Sequence, residues 1–211
     1  MTEAEGRAAI VRAGAHLAAR GLAPGTSGNV SVKLESGFLV TPTNASLGAL
    51  DAEALSLLDA AGEHIGGDRP TKEAALHLAV YRVRPSAGSV VHLHAPYSVA
   101  LSCLQHADER DVLPKLTPYA VMRLGALALV PYAPPGDRAL ADAVGALAAN
   151  YHALLLANHG PVIAGSSLDA AVAGSEELEE VARLSFVLHG RSVRELSANE
   201  VDTLRAAHQL R

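Results

Sequence analysis

Residues 90–96 read Val-Val-His-Leu-His-Ala-Pro, and the reading of this stretch governs the rest. Ser89–His94 has the apolar character of a strand, and Pro96 suits the start of a following helix, predicted over Pro96–Leu104. Side chains alternate across a strand, so His92 and His94 share one face. Two imidazoles at consecutive same-face positions of an apolar strand are costly unless something satisfies them. The pair alone fits a metal site, and it also fits histidines satisfied by the core or at the surface.

Further along, a second apolar run, Ala153–Ala157, reads as a buried strand that leads straight into Asn158-His159-Gly160. Polar groups in a loop at the end of a core strand are where sites usually lie. Three neutral histidines, His92, His94 and His159, would hold zinc and leave a position for a substrate oxygen. Manganese or cobalt suit such ligands too. The remaining histidines show no such grouping. His77 stands four residues after Glu73 and reads as a supporting or structural residue.

Glu73 falls in the first turn of a helix predicted over Lys72–Arg84, with Thr71 as a plausible N-cap or just before one. A helix N-terminus favours a carboxylate by itself. Beside a metal the same carboxylate could bind the ion at rest and move a proton once substrate arrives. The pattern leaves both readings open. Thr26-Ser27-Gly28-Asn29 is a small loop of hydroxyls, an amide and a glycine that could wrap a phosphate. Thr43-Asn44 and Thr71-Lys72 are further candidates, the latter where a helix start welcomes an anion.

The other segments give mixed α and β. Helices are predicted over 3–20, 138–149, 168–189 and from Ser197 onward, where Ser197 and Glu200 have capping-box spacing. Strands are predicted at Val30–Lys33, Gly37–Thr41 and Leu127–Tyr132. Residues 51–60 read as a short helix or turn, and 61–70 and 105–118 as irregular. With 211 residues, 49% apolar and 18% charged, the chain suits one domain spanning 1–211. Aromatics are only 3%, so Ala, Leu and Val must fill the core. A net charge of −5 argues against a broad basic face for nucleic acid but leaves room for one local phosphate site. The single cysteine, Cys103, permits no intrachain disulfide, and its apolar setting predicts burial. The N-terminus lacks a basic-then-apolar leader, and no apolar run is long enough to span a bilayer. The expectation is a cytoplasmic protein without a membrane partner.

Taken in order, GTSGNVS at 25–31, TPTN at 41–44, PTKE at 70–73, VVHLHAP at 90–96 and LLANHGP at 155–161 resemble the class II aldolase/adducin family over roughly residues 5–190. The resemblance implies a three-layer α/β/α fold around a mostly antiparallel sheet. It also implies a homotetramer with sites at subunit boundaries. It places zinc on His92, His94 and His159, with Glu73 as acid/base and resting ligand. It places phosphate on Ser27-Gly28-Asn29, helped by Thr43 and the residues just before Glu73. TPTNASLGALD at 41–51, GDRPTKEAALHLAVYRVRP at 67–85 and EELEEVARL at 176–184 look like a branch that decarboxylates 3-oxo-tetronate 4-phosphate to dihydroxyacetone phosphate through an enediolate. The alternative is a sugar-phosphate aldolase of the fuculose-phosphate type. A non-catalytic, adducin-like module is disfavoured, because the histidines and the acid are all present. The aldolases carry Ser where this chain has Lys72, which could grip the substrate carboxylate or phosphate. Thr71 stands where the branch has Ser and keeps the hydroxyl. Tyr119 and Tyr132 are candidates to reach a neighbouring subunit's site.

Overall fold

Alternation along the strands divides the buried apolar side chains into two cores, one on each face of a single sheet. The computed structural model describes residues 1–207. On β5 (Ser89–His92), Val91 faces one core and Val90 the other. On β7 (Ala153–Leu156), Leu155 faces the first core, and Leu154 and Leu156 the second. On β8 (Gly160–Gly165), Ile163 and Val162 divide in the same way.

The sheet has eight strands in the order β4-β3-β2-β1-β5-β8-β7-β6, adding β1 (Asn29–Lys33), β2 (Gly37–Val40), β3 (Ser56–Asp59), β4 (His64–Gly66) and β6 (Leu127–Val130). Every pairing is antiparallel except β6 with β7, which are joined through the helix α5 (Arg138–Ala148). Helix α2 (Ala74–Val83) packs with α5 over the second core. The first core is covered by α1 (Glu3–Ala19), α3 (Pro96–Ser102), α4 (Pro118–Leu124) and α6 (Leu168–Val187). Helix α7 (Ala198–Ala207) packs on α4. The three-layer, mostly antiparallel expectation holds.

Several local expectations change. Residues 56–59 are strand β3 and not helix or turn, because Ser56 and Leu58 point inward while Leu57 and Asp59 are half-buried, the period of two that pairing with β2 requires. The loop at 61–70 contains the short edge strand β4. Helix α2 begins at Ala74, one residue after Glu73, so Glu73 is the N-cap residue and does not lie in the first turn. Strand β5 ends at His92, and His94 lies just beyond it. Helix α4 and strand β8 lie in segments for which no element was predicted. Cys103 is exposed, since it is the C-cap residue of the short α3 and faces outward. The expected capping box forms: Ser197 Oγ accepts from Glu200 N, and the Glu200 carboxylate accepts from Ser197 N. His208 lies outside the described residues. No described helix is long and apolar enough to cross a membrane.

This topology gathers the predicted site residues. Asn29 at the start of β1 pairs with His92 at the end of β5, and the β7–β8 turn places His159 at the same end of the sheet. Two glycines allow the close approach. Gly28 has φ +79, and a Cβ there would lie 3.0 Å from the His92 carbonyl oxygen. Gly160 has φ +154, and a Cβ there would lie 2.3 Å from the Leu93 carbonyl oxygen.

Candidate functional site

His92 is fully buried, and its Nδ1–H donates to the Pro161 carbonyl at 2.8 Å. That bond turns the Nε2 lone pair toward the centre of the cluster. His94 Nε2 is 3.2 Å from His92 Nε2, and His159 Nε2 is 3.1 Å from His94 Nε2. His159 is anchored by its backbone N–H, which donates to Ser102 Oγ at 3.2 Å, while Asn158 before it takes the left-handed conformation with φ +56. The Glu73 carboxylate closes the group, with Oε2 at 3.4 Å from His92 Nε2 and Oε1 at 3.5 Å from His159 Nε2.

The donor set fits a divalent metal. Four ligand atoms, three imidazole nitrogens and one carboxylate oxygen, lie within 4.8 Å of one another. Ligand bonds near 2.0–2.1 Å in a tetrahedron put ligand atoms about 3.4 Å apart, close to the spacings above. Glu73 Oε1 and His159 Nδ1 are buried with no hydrogen-bond partner among the described residues. A buried, unpartnered carboxylate oxygen costs free energy unless a cation or a ligand meets it.

The electrostatics agree with neutral imidazoles around a carboxylate. Burial depresses the pKa of His92 to about 4, against the opposing pull of Glu73. Burial also lowers His94 and His159. For Glu73, burial raises the carboxyl pKa, but His92, the Asn29 amide and His159 outweigh it, and the net shift is downward. The Glu73 side chain makes no capping hydrogen bond to α2 and turns to the histidines.

A cleft of about 140 Å³ opens beside the cluster. Ser27, Gly28, Asn29, Thr43, Asn44, Thr71, Lys72, Glu73 and His94 all line it. Its two loops are tied by backbone bonds, Thr43 N to Arg69 O at 3.0 Å and Thr71 N to Thr41 O at 3.1 Å, with a bridge between Pro42 and Pro70. Thr71 Oγ1 accepts from Glu73 N at 3.3 Å and helps to hold the turn before α2. Pro135 also lines the cleft and was not anticipated; the turn APPGD at 133–137 was legible, but not where it folds. Asn29 lines the cleft, yet its side chain is 4% exposed and donates through Nδ2 to Glu73 Oε2 at 2.8 Å. Tyr119 is 59% exposed and does not line the cleft, and Tyr132 is 65% exposed.

Sequence reasoning treated His77 as a supporting group without identifying what it supports. Its Nε2 meets Asn29 Oδ1 at 2.5 Å and its Nδ1 meets Ser31 Oγ at 2.7 Å. Burial, and next the neighbouring His92, lower its pKa from 6.5 to about 3. The unfolded chain therefore takes up this proton first as pH falls, so the stability present above pH 6.5 is lost on acidification toward pH 3. Between pH 7 and pH 5 the His77 contribution to that loss is about 2 kcal/mol. Urea midpoints of the chelated protein are expected to fall over this range, and to fall less steeply in His77→Gln. Equal slopes for the two proteins would contradict it.

The model for the class II aldolase and adducin N-terminal domain matches residues 8–186. A 3-oxo-tetronate 4-phosphate decarboxylase from Pectobacterium atrosepticum is 47% identical over 204 residues, covering 96% of this chain and 94% of the relative. The crystal structure of YgbL from Klebsiella pneumoniae superposes with a TM-score of 0.94 at 50% identity, covering 97% of this chain and all (100%) of the other. A fuculose phosphate aldolase from Methanococcus vannielii is 38% identical over 164 residues, covering 78% of this chain and 86% of the relative.

Proposed function

The chain belongs to the class II aldolase and adducin family, and on that premise we propose that it decarboxylates 3-oxo-tetronate 4-phosphate, yielding dihydroxyacetone phosphate and carbon dioxide. The observation that carries the reading is the Glu73 carboxylate. It is 8% exposed, one oxygen is bound by Asn29, the other has no protein hydrogen bond, and it stands between three imidazoles and a hydroxyl- and amide-lined cleft. The relative from Pectobacterium atrosepticum, named for this reaction, supports the choice of substrate.

His92, His94 and His159 would hold zinc, with Glu73 as a fourth ligand at rest. A bound zinc ion supplies Lewis-acid stabilisation of the negative charge that develops on the ketone side of the substrate. The residues of the chain do the rest. Ser27, Gly28 and Thr43 receive the phosphate in the cleft, which Asn44, Thr71 and Lys72 also line. Lys72, a cation at the cleft, pairs with the substrate carboxylate or phosphate. This fixes the bond between C1 and C2 in the orientation that lets it break. Its electron pair passes into the C2–C3 enediolate as carbon dioxide leaves. Glu73, a carboxylate at rest, takes up a proton from solvent, delivers it to C2 and returns to carboxylate. The three imidazoles, His92 buried and His94 and His159 half-buried, stay neutral and so remain competent as ligands. We take the chain to work as one domain in a cytoplasmic homotetramer, with Tyr119 and Tyr132 presented to a neighbouring copy.

The test is a coupled assay that follows both products from 3-oxo-tetronate 4-phosphate, with zinc-loaded and chelated protein. Equal release of carbon dioxide and dihydroxyacetone phosphate, abolished by chelation, is expected. No release from zinc-loaded protein would overturn the decarboxylase. Aldehyde-dependent consumption of dihydroxyacetone phosphate in its place would make the chain an aldolase, the reading that the Methanococcus vannielii relative supports.

A further inference from the structure

Glu73 stands at one end of a chain of buried polar groups that runs away from the cleft, between β1 and α2. Asn29 Nδ2 donates to Glu73 Oε2, Asn29 Oδ1 meets His77 Nε2, His77 Nδ1 meets Ser31 Oγ, and Ser31 Oγ lies 2.8 Å from the Tyr81 hydroxyl. Asn29, Ser31, His77 and Tyr81 are all at most 5% exposed, so the groups must satisfy one another.

The ends of this chain fix the direction of every bond in it. The Glu73 carboxylate accepts only, so Asn29 must turn its amide nitrogen there and its carbonyl oxygen toward His77. That oxygen also accepts only, so the proton of the neutral imidazole is on Nε2. Nδ1 is then the acceptor, and the Ser31 hydroxyl donates to it. Ser31 Oγ in turn accepts from the Tyr81 hydroxyl. The opposite direction would set the Asn29 oxygen against a carboxylate oxygen at 2.8 Å, two acceptors with no proton between them. The chain therefore makes the two oxygens of Glu73 inequivalent. Oε2 always accepts from Asn29, while Oε1 lies on the His159 side without a protein partner.

We propose that His77, held by Ser31 and acting through Asn29, is a positioning residue that fixes Oε1 as the oxygen of Glu73 that carries the proton. This rests on the reading of Glu73 as the proton carrier. If Ser31 cannot donate, the Nδ1–H tautomer of His77 becomes competitive. Nε2 then faces the Asn29 oxygen as a second acceptor, the amide turns over, and Oε2 loses its donor. The loss is in the alignment of proton transfer, and the phosphate loop and the three imidazoles stay in place.

The experiment compares the zinc-loaded wild type with Ser31→Ala, His77→Leu and His77→Gln, measuring kcat, KM and zinc per chain. Nitrogen NMR of chains labelled at histidine reads the His77 tautomer. The wild type is expected to show the Nε2–H form. Ser31→Ala and His77→Leu are each expected to lower kcat about 10–100-fold, with KM and zinc content within twofold of the wild type. His77→Gln, whose amide still donates to Asn29, should recover most of kcat. If His77→Leu does not fold, Ser31→Ala carries the kinetic comparison, because it removes only a hydroxyl. An Nδ1–H tautomer in the wild type overturns the proposal, and so do kcat values unchanged in Ser31→Ala or a fall in kcat that tracks a fall in bound zinc. A wild type inactive on 3-oxo-tetronate 4-phosphate defeats the proposed function instead. The tautomer still decides the bond directions, and the kinetic comparison then uses the dihydroxyacetone phosphate aldol reaction.

Discussion

His94→Ala is expected to lose bound metal and turnover together while keeping the fold. His94 Nε2 is 3.2 Å from His92 Nε2 and 3.1 Å from His159 Nε2, and the three ring centroids are 4.8–5.1 Å apart, so its removal takes away one corner of the imidazole triangle. What remains is two imidazoles and a carboxylate; such a set can hold zinc, but here the carboxylate is the proton carrier and cannot serve as a permanent third ligand. His94 is half-buried beyond the end of β5 and belongs to neither apolar core, so its truncation leaves no large cavity. His92→Ala is the poorer experiment. His92 is fully buried and bonds Pro161, so its loss would also disturb the β5–β8 pairing. Lewis-acid stabilisation is worth several kcal/mol, so activity should fall about a thousandfold or more. Metal analysis after dialysis, circular dichroism and the coupled assay read the three quantities. Full metal content with activity within tenfold of the wild type would remove His94 from the site.

His92 and His94 were readable as a pair because the period of two runs past the end of β5: Val91 and Leu93 both face the first core, which leaves the two histidines to the other side. His159 was readable because its polar loop follows an apolar run. The same loop hid strand β8. Its turn is Ala157-Asn158-His159, and it reads as a site before it reads as a hairpin. Strand β3 was misread because Leu55, Leu57 and Leu58 suit a short helix as well as a strand, and only pairing with β2 decides between them. Helix α4 is seven residues long, too short for periodicity to show. Its signals were local, Thr117 accepting from Ala120 N and Pro118 at the first turn. Glu73 was ambiguous in principle, since a helix start and a metal attract the same carboxylate. The role of His77 was beyond local reading for another reason. Its partners Ser31 and Asn29 are 46 and 48 residues away, and the docking of α2 beside β1 brings them together.

Glu73→Gln should retain fold and metal and lose turnover. The amide keeps the size of the carboxylate, and its oxygen can still accept the Asn29 Nδ2 bond now made to Oε2. Its nitrogen then takes the place of Oε1, beside His159 Nε2. Three imidazoles remain for the ion, so zinc binding weakens but survives. An amide cannot carry and release the proton, and the loss of a positioned acid–base group costs about 10²–10⁴ in rate. The loss should appear in kcat with KM little changed, because the phosphate loop is untouched. A kcat within tenfold of the wild type, with zinc bound, would end the assignment of Glu73 as proton carrier. The double variant Glu73→Gln with Ser31→Ala sharpens the argument. Ser31 and His77 reach the chemistry only through the carboxylate, so removing Ser31 from a chain already lacking the carboxylate should cost nothing further. A second, multiplicative fall in kcat would mean that the buried chain acts on the reaction by some route other than Glu73.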